Sequence, residues 1–375
     1  MTQVGDSQVE LLHDGAACLP AMLAAIERAA SEVLLEMYWF GSDRTGRQFA
    51  AALMERAKAG IRVCVTYDAF GSWDADSRMF AELAQAGCQV HCYNPPRRYF
   101  PRFPWRRLRR RNHRKMLIVD CNVAFTGGVN LADPWAPDER GHGGFRDDVI
   151  RIEGPAALRM REIFVRTFRE GIEADEERRD ASLPASAGDH TAIADELQVI
   201  TNEGLRQRRI IDRMYLERID AARRSVLLTN SYFIPRPAVR RALAVAVARG
   251  VEVKLLLAGE SDVPGVNYAT QWLYDWLLRH GVEIFEWRNG VLHAKTAVFD
   301  EQWCTVGTYN FDYRSLNYNL EVNVLIRSDH LSQQLADKTR SDMAQSHAVK
   351  LAAWRYRPLS ERLLEWVFFR LRRLM

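Results

Sequence analysis

The sequence of 375 residues has few cysteines, no long apolar run and no secretion signal. The six cysteines are scattered, so we expect no disulfide framework. Cys88, His91 and Cys92 lie close together, but no second pair of ligands follows to complete a tetrahedral zinc site, which favours a structural role. No stretch approaches about 18 consecutive apolar residues, so no membrane-spanning helix is encoded. The first twenty residues lack the basic and apolar regions of a signal peptide, which predicts a cytoplasmic protein.

The chain also has little excess charge. Its 52 basic and 48 acidic residues leave a net charge of +4, which does not by itself indicate a polyanionic partner. With 47% hydrophobic and 27% charged residues, the composition is typical of a globular protein. The length exceeds that of one typical hydrophobic core, so we expect two domains.

The sequence does contain one eighteen-residue pattern written twice. It has a His, a Lys two residues later, an Asp at offset seven, a Gly at offset fourteen and an Asn at offset seventeen. The two copies are His113, Lys115, Asp120, Gly127 and Asn130, and His293, Lys295, Asp300, Gly307 and Asn310. If the copies meet, one His can attack phosphorus while the other protonates the leaving oxygen. The pattern therefore predicts one phosphoryl-transfer site built from both halves.

Each residue type in the pattern suits that chemistry. Residues two apart on a strand point the same way, so the His and Lys of each copy share one face. The ammonium disfavours imidazolium, which keeps the ring nucleophilic, and it can also hold a phosphate oxygen. The Asn amides can donate to such oxygens, and the Gly residues allow the backbone to approach. Odd spacing turns Asp120 and Asp300 away from this face, so within the candidate catalytic set they take a supporting role in fixing the turn.

A second pair of acids is suited to orient the imidazoles. Asp147 and Glu321 follow their motifs in comparable strands. A carboxylate on the far ring nitrogen would fix the tautomer and stabilise imidazolium as it forms. Asp148 is the alternative to Asp147.

The flanking sequence repeats as well. Strand, helix and strand patterns follow one another in the same order in both halves, with Gly60 and Gly250 as helix stops at equivalent places. This order predicts an α/β fold of two duplicated α/β/α sandwich domains. Residues 173 to 196 have the composition of a connector, so we place the domains at 1–185 and 186–358, followed by a segment at 359–375. The duplicates should pack about a pseudo-twofold axis, with the active site at their interface.

The duplicated H-x-K-x4-D-x6-G-x2-N pattern resembles the phospholipase D superfamily over nearly the whole chain. The resemblance implies phosphodiester transfer through a phosphohistidine, without metal or cofactor, in which His113 is the nucleophile and His293 the acid that becomes the base. Segments around both motifs resemble short bacterial cardiolipin synthases, which implies transfer of a phosphatidyl group from one phosphatidylglycerol to another. Gly128 and Thr308 depart from the Ser that is common at this position. The candidate substrate-binding residues are Gly127, Gly128, Asn130, Gly307, Thr308 and Asn310.

Two unrepeated segments indicate the substrate. Residues 97–115 contain ten basic residues and no acid, interleaved with aromatics, which suits an anionic lipid surface or nucleic acid. Residues 359–375 read as a basic amphipathic helix that either lies in the membrane interface or docks on the protein's own core. Together they favour a peripheral protein at the cytoplasmic face of the cell membrane.

Three alternatives to the phosphatidyltransferase stay open. A phospholipase would pass the same phosphatidyl group to water or to another alcohol. A metal-independent nuclease could use the same His pair, although the apolar aromatic features make nucleic acid the less favoured partner. A membrane adaptor could retain the duplicated fold without catalysis. The sequence leaves the oligomeric state and the acyl-chain preference undecided.

Overall fold

The structure is a computed structural model, and it describes residues 1–95, 110–137, 144–173, 196–203, 207–263 and 265–373. These ranges form two eight-stranded sheets with helices packed on their faces. The predicted α/β architecture of two duplicated units is therefore confirmed. The predicted boundary near residue 185 falls outside the described residues, so the division at that point stays a prediction.

The first sheet is built from residues 2–153. Its strands are β1 (Thr2–Val4), β2 (Ser7–His13), β3 (Glu32–Met37), β4 (Arg62–Asp68), β5 (Gln89–Tyr93), β6 (Met116–Val119), β7 (Val123–Gly127) and β8 (Asp148–Glu153). Across the sheet they lie in the order β1-β2-β8-β7-β6-β3-β4-β5. Strands β3, β4 and β5 are parallel, whereas β6, β7 and β8 pair antiparallel.

The second sheet is built from residues 197–349. Its strands are β9 (Leu197–Thr201), β10 (Ser225–Asn230), β11 (Glu252–Ala258), β12 (Glu283–Trp287), β13 (Lys295–Phe299), β14 (Trp303–Gly307), β15 (Val322–Arg327) and β16 (His347–Val349). They lie in the order β16-β12-β11-β10-β13-β14-β15-β9. Read from β9, this order matches that of the first sheet read from β2. The remaining strands differ between the sheets: β1 lies at the β2 edge of the first sheet, and β16 lies at the β12 edge of the second.

The helices lie on both faces of the sheets. In chain order they are α1 (Asp14–Glu27), α2 (Arg44–Lys58), α3 (Ser77–Gln85), α4 (Pro155–Glu173), α5 (Ile210–Ala221), α6 (Pro237–Ala248), α7 (Val266–Gln271), α8 (Tyr274–Arg279), α9 (Tyr313–Asn317), α10 (Asp329–Ala344), α11 (Leu351–Arg355) and α12 (Leu359–Leu371). Gly60 and Gly250 follow α2 and α6 with φ of 83° and 86°. These left-handed conformations end the helices where the sequence predicts.

One large apolar cluster joins the two halves. It combines side chains of α4, such as Phe164, with Leu335 of α10 and with strand residues from both sheets, such as Ile150 and Val324. Separate clusters lie under α1 to α3 in the first half and under α5 to α8 in the second. The halves therefore share a hydrophobic core, which fixes the position of any site between them. Among the described helices, none is long and apolar enough to cross a membrane.

Candidate active site

The two motif histidines lie at the contact between the halves. The His113 amide donates to the Leu320 carbonyl at 3.0 Å, and the His293 amide donates to the Arg146 carbonyl at 2.8 Å. In each case the acceptor is the residue that precedes the acid of the opposite half, Glu321 or Asp147. These equivalent contacts express the pseudo-twofold relationship, and they bring the two motifs into one site.

Each imidazole is paired with a carboxylate from the other half. The Nδ1 atom of His113 lies 3.0 Å from Oε2 of Glu321, and Nδ1 of His293 lies 2.8 Å from Oδ2 of Asp147. All four side chains are buried. The carboxylate fixes the proton on Nδ1, which leaves Nε2 of each ring for chemistry. Asp148, the alternative to Asp147, instead contacts Nδ1 of His13 at 2.6 Å and is ion-paired to Arg146.

The two carboxylates are held in different ways. Glu321 accepts hydrogen bonds from the hydroxyls of Thr308 at 2.5 Å and Ser315 at 2.7 Å. Asp147 accepts from the Trp135 indole at 2.9 Å, and the Trp135 ring also meets the His293 ring edge to face at 5.2 Å. Glu321 therefore lies among hydroxyl groups, and Asp147 lies against the Trp135 ring.

Gly128 has a packing requirement that the sequence did not reveal. A Cβ atom at this position would lie 2.0 Å from Oδ1 of Asp147, so the carboxylate occupies the space of a side chain. The Gly128 amide already donates to the Asp148 carbonyl at 3.1 Å, and the Thr308 amide donates to the Val322 carbonyl at 2.9 Å. These positions thus hold strands and carboxylates, and their amides are not free to bind substrate.

Gly127 and Gly307 also meet neighbouring strands. A Cβ on Gly127 would lie 2.1 Å from the Asp148 carbonyl oxygen, and one on Gly307 would lie 2.4 Å from Cγ of Asn323. The predicted close approach of backbone therefore occurs, but the partner is an adjacent strand.

Burial and charge set the ionisation of the histidines and their acids. Burial, aided by the charge of Lys115 and opposed by Glu321, lowers the pKa of His113 to about 4. Burial and Lys295 likewise lower the pKa of His293. Although burial alone would raise them, the facing imidazoles and ammoniums hold the pKa values of Asp147 and Glu321 below their usual range. The resting site therefore has neutral imidazoles on ionised carboxylates.

The two motif lysines have different neighbours. Lys115 donates to the His113 carbonyl at 2.8 Å and lies 5.0 Å from the centre of the Tyr38 ring. Lys295 donates to the His293 carbonyl and, at 2.8 Å, to the Ser231 hydroxyl. Burial lowers the pKa of Lys115 to about 7 and that of Lys295 to about 8. Because an anion between them would restore their charge, the pair is suited to hold a phosphodiester.

The motif asparagines are anchored through their oxygens. Oδ1 of Asn130 accepts from the Trp39 amide at 3.1 Å, and Oδ1 of Asn310 accepts from the Ser231 hydroxyl at 3.3 Å. Both side chains are buried. Their Nδ2 groups are thereby the ends that can donate to a phosphate oxygen.

Asp120 and Asp300 lie at turns between strands. The Asp120 carboxylate accepts from the amides of Ala30, Ser31 and Glu32 at 2.7 to 3.0 Å. Asp300 binds the equivalent amides of residues 223–225. Both aspartates have positive φ, at 52° and 55°. They fix the β6–β7 and β13–β14 turns to the starts of β3 and β10.

Further side chains that lie around the site in the described ranges include Tyr38, Trp135, Ser231 and Ser315. Tyr38 and Ser231 each follow the last residue of a central strand, β3 or β10. The carboxyl end of a central strand is a signal that sequence reasoning could have used. Within the described ranges, no group of three or more His, Cys, Asp or Glu side chains is arranged to hold a metal ion. The basic stretch before the first motif lies largely at 96–109, outside the described residues.

Comparisons with known proteins agree with this geometry. The family described as "Cardiolipin synthase, PLD-like domain" matches residues 22–139 and 215–343. Cardiolipin synthase B of Escherichia coli K12 is 32% identical over 352 residues, which cover 90% of this chain and 81% of that protein. Cardiolipin synthase of Geobacillus kaustophilus is 30% identical over 365 residues, covering 96% and 71%.

Among solved structures, the phosphatidylserine synthase of Haemophilus influenzae superposes with a TM-score of 0.71, covering 98% of this chain and 95% of that one. At 13% identity this likeness shows the fold alone. The family assignment follows from the sequence matches, and the resemblance to the phospholipase D superfamily is confirmed. The chain therefore belongs to the phospholipase D-like family of cardiolipin synthase domains.

Proposed function

We propose that the chain is a phosphatidyltransferase of the cardiolipin synthase type, which moves a phosphatidyl group from one phosphatidylglycerol to another and releases glycerol. The observation that carries the proposal is the crossed pairing of His113 with Glu321 and of His293 with Asp147 in one buried site. Relatives that match most of the chain carry the name cardiolipin synthase, which supports this choice of lipid.

In the first half-reaction, Nε2 of His113 attacks the phosphorus of phosphatidylglycerol. The bond from phosphorus to the glycerol oxygen breaks, and that oxygen takes a proton from Nε2 of His293, which becomes imidazolium when the anionic phosphodiester enters the site, so glycerol leaves. Lys115 and Lys295 neutralise charge on the non-bridging oxygens, and Asn130 and Asn310 donate to them. The product of this step is a phosphatidyl group bonded to His113.

In the second half-reaction, neutral His293 takes the proton from a hydroxyl of a second phosphatidylglycerol. The hydroxyl oxygen attacks phosphorus, the bond from phosphorus to Nε2 of His113 breaks, and cardiolipin leaves. Both imidazoles return to their state in the substrate complex, with His113 neutral and His293 protonated. Asp147 stabilises the His293 imidazolium each time it forms.

The environments of the two histidines support this division of roles. The pKa of His113, lowered to about 4 by burial, keeps that ring neutral and ready to attack. Its partner Glu321 spreads its charge over two hydroxyl donors. The pKa of His293 is lowered by burial as well, but Asp147 and the charge of Asp262 oppose that effect. The ring that must cycle through imidazolium is thus the one with two nearby carboxylates.

The test is incubation of purified protein with phosphatidylglycerol vesicles, followed by product analysis. Cardiolipin and glycerol in equal amounts are expected. Phosphatidic acid alone would instead indicate a phospholipase. His113→Ala should abolish the covalent phosphatidyl adduct, whereas His293→Ala should let it accumulate. An adduct trapped on His293 would reverse the assigned roles.

We also propose that the protein is peripheral at the cytoplasmic face of the membrane. All six cysteines are free thiols, which fits a reducing compartment. One face of α12 docks on the protein: Phe368 stacks on Tyr268 at 5.5 Å, and Glu365 is ion-paired with Arg357. The opposite face exposes Leu359, Leu363, Leu364, Trp366 and Leu371. One face of α12 therefore docks on the protein's own core. The other face presents apolar side chains beside arginines, which suits the membrane interface.

The membrane proposal is tested better by point substitutions than by truncation, because removing α12 would uncover the surface beneath Phe368. Leu359→Ser together with Leu363→Ser should reduce sedimentation with vesicles that contain phosphatidylglycerol. Unchanged sedimentation of the double variant would show that α12 does not contact the bilayer.

A further inference from the structure

Two large aromatic side chains lie exposed on the loop that follows β4, residues 69–76, which we call the rim loop. Phe70 is 59% exposed and Trp73 is 80% exposed. Both rings leave apolar surface in water, which is unfavourable in proportion to its area. Aromatic residues in this situation are typical of a surface that meets a partner or a membrane interface.

The rim loop is fastened to the residues that surround His113. The Ser72 hydroxyl donates to the Tyr38 carbonyl at 3.2 Å, and a Cβ on Gly71 would lie 2.1 Å from the same carbonyl oxygen. The Tyr38 ring in turn meets the His113 ring at 4.9 Å. Trp73 therefore directly follows Ser72, which binds the backbone of Tyr38 beside His113.

A second connection runs through Asp68, which is fully buried. One carboxylate oxygen accepts from the Phe70 amide at 2.8 Å, and the other accepts from the Asn112 amide at 2.8 Å. Asn112 directly precedes His113. Phe70 is thus held in place by the segment that positions the nucleophile, so its exposure belongs to an ordered loop beside the site.

The second half presents its own apolar face near the site. The exposed face of α12 ends close to α9, because the Arg373 guanidinium lies 5.9 Å from the centre of the Tyr313 ring. In the same helix α9, the Ser315 hydroxyl binds Glu321, the partner of His113. The rim loop in the first half and α12 in the second therefore both lie close to elements that contact the catalytic residues.

We propose that Phe70 and Trp73 insert into the headgroup region of a phospholipid bilayer and, with the exposed face of α12, turn the opening of the active site toward the membrane. The proposal rests on the phosphatidyltransferase function, because it supplies a route for a lipid headgroup from the bilayer to the histidines. The chemistry of the loop favours lipid over nucleic acid. Asp74 directly follows Trp73 and is exposed, Asp76 lies on the same loop, and such carboxylates would repel a polyphosphate backbone stacked on these rings.

The loop and α12 should differ in their response to salt. The nearest cations to Asp76, Arg47 and Arg78, are ion-paired with it at 3.6 and 3.8 Å, so the rim loop has little net positive charge to offer. Its contribution comes from aromatic burial, which salt does not screen. The arginines of α12 act through the surface potential of anionic lipid, which salt does screen.

The experiment uses the full chain and vesicles of phosphatidylglycerol and phosphatidylcholine. Phe70→Ser and Trp73→Ser should each weaken vesicle sedimentation by about tenfold, from the apolar transfer energy of one aromatic ring. The loss should persist at about 0.5 M salt. Val245→Ser is the matched control, since Val245 is 52% exposed on α6, outside both the rim loop and α12, and it should sediment as the original protein does.

A second measurement separates this inference from the enzymatic proposal. On vesicles, Trp73→Ser should lose activity along with binding. On short-chain phosphatidylglycerol dispersed below its micelle concentration, the loss of activity should be about tenfold smaller. If the Phe70→Ser, Trp73→Ser and original proteins bound vesicles equally, the proposal that the rim loop inserts into the bilayer would be wrong. If the original protein formed no transfer product from either form of lipid, the proposed function would fail instead, and sedimentation would still decide the role of the loop.

Discussion

The crossed pairing of imidazoles and acids predicts a large loss of kcat in the variant Asp147→Asn. The amide has the same shape as the carboxylate but no charge, and its Nδ2 would donate to His293 Nδ1 in place of accepting from it. Asp147 lies 2.8 Å from His293 and is fully buried. A unit charge at about 4 Å contributes about 4 kcal/mol at an effective dielectric constant of about 20. Because about 1.4 kcal/mol corresponds to a factor of ten, we expect kcat to fall by about 10³-fold.

The same variant also distinguishes crossed pairs from pairs within each half. If Asp147 serves His293, Asp147→Asn should behave as a weaker His293→Ala and accumulate the phosphatidyl adduct, seen by mass spectrometry of the intact protein. Glu321→Gln should behave as a weaker His113→Ala and form little adduct. The control is Glu153→Gln, on the same strand β8 but outside the site, with kcat within about twofold of the original. A folded Asp147→Asn enzyme with nearly full kcat, or the opposite adduct pattern, would refute the reasoning.

Three further predictions follow from the ionisation and packing of the site. Attack needs a neutral His113, whose pKa is about 4, and phosphate binding needs a charged Lys115, whose pKa is about 7. We therefore expect kcat/KM to decrease when the pH falls below about 4 and when it rises above about 7. A rate profile still flat at about pH 9 would contradict this. Gly128→Ser should lower kcat by at least about tenfold, measured on vesicles, because its Cβ would lie 2.0 Å from the Asp147 carboxylate. Asp120→Asn should lower the thermal midpoint at pH 7, with a much smaller loss of kcat than any His variant. Because hydrogen bonds from backbone amides and the Ser31 hydroxyl, outweighing burial, hold the pKa of Asp120 below its ordinary value, this stabilisation should disappear as the pH falls through that pKa.

The sequence was sufficient to predict two duplicated α/β units with the active site at their interface. Equal offsets from His to Asn in both halves required equivalent positions in equivalent strands, and duplication made a pseudo-twofold contact the simplest packing. The repeated strand, helix and strand patterns predicted equivalent elements in both halves, and β6 and β13 lie beside β3 and β10 in the same order in both sheets. The two-residue strand repeat was not decisive for the motif side chains, because His113 and Lys115 lie before β6 and His293 lies before β13.

The crossing of the acids could not be predicted in the same way. The distances along the chain from His113 to Asp147 and from His293 to Glu321 are similar, and they are equally compatible with pairing inside a half. What decides the pairing is the path of the backbone between the halves, in which the His113 amide reaches Leu320 and the His293 amide reaches Arg146. Those contacts depend on the core shared by α4 and α10, and no short motif records such long-range packing.

The two halves of the site also differ in a way that explains an apparent defect of the motif. Gly128 lacks the hydroxyl that Thr308 uses to bind Glu321, so it looks like a lost contact when the sequence is read alone. In the structure the shorter Asp147 fills the space above Gly128 and takes its hydrogen bond from Trp135 instead. Glycine with aspartate, and threonine with glutamate, are therefore two solutions to one geometric problem, since each combination of small residue and acid sets a carboxylate at Nδ1 of the opposite histidine. A residue at either position can be interpreted only together with the acid that it faces, because the unit that carries function is the pair.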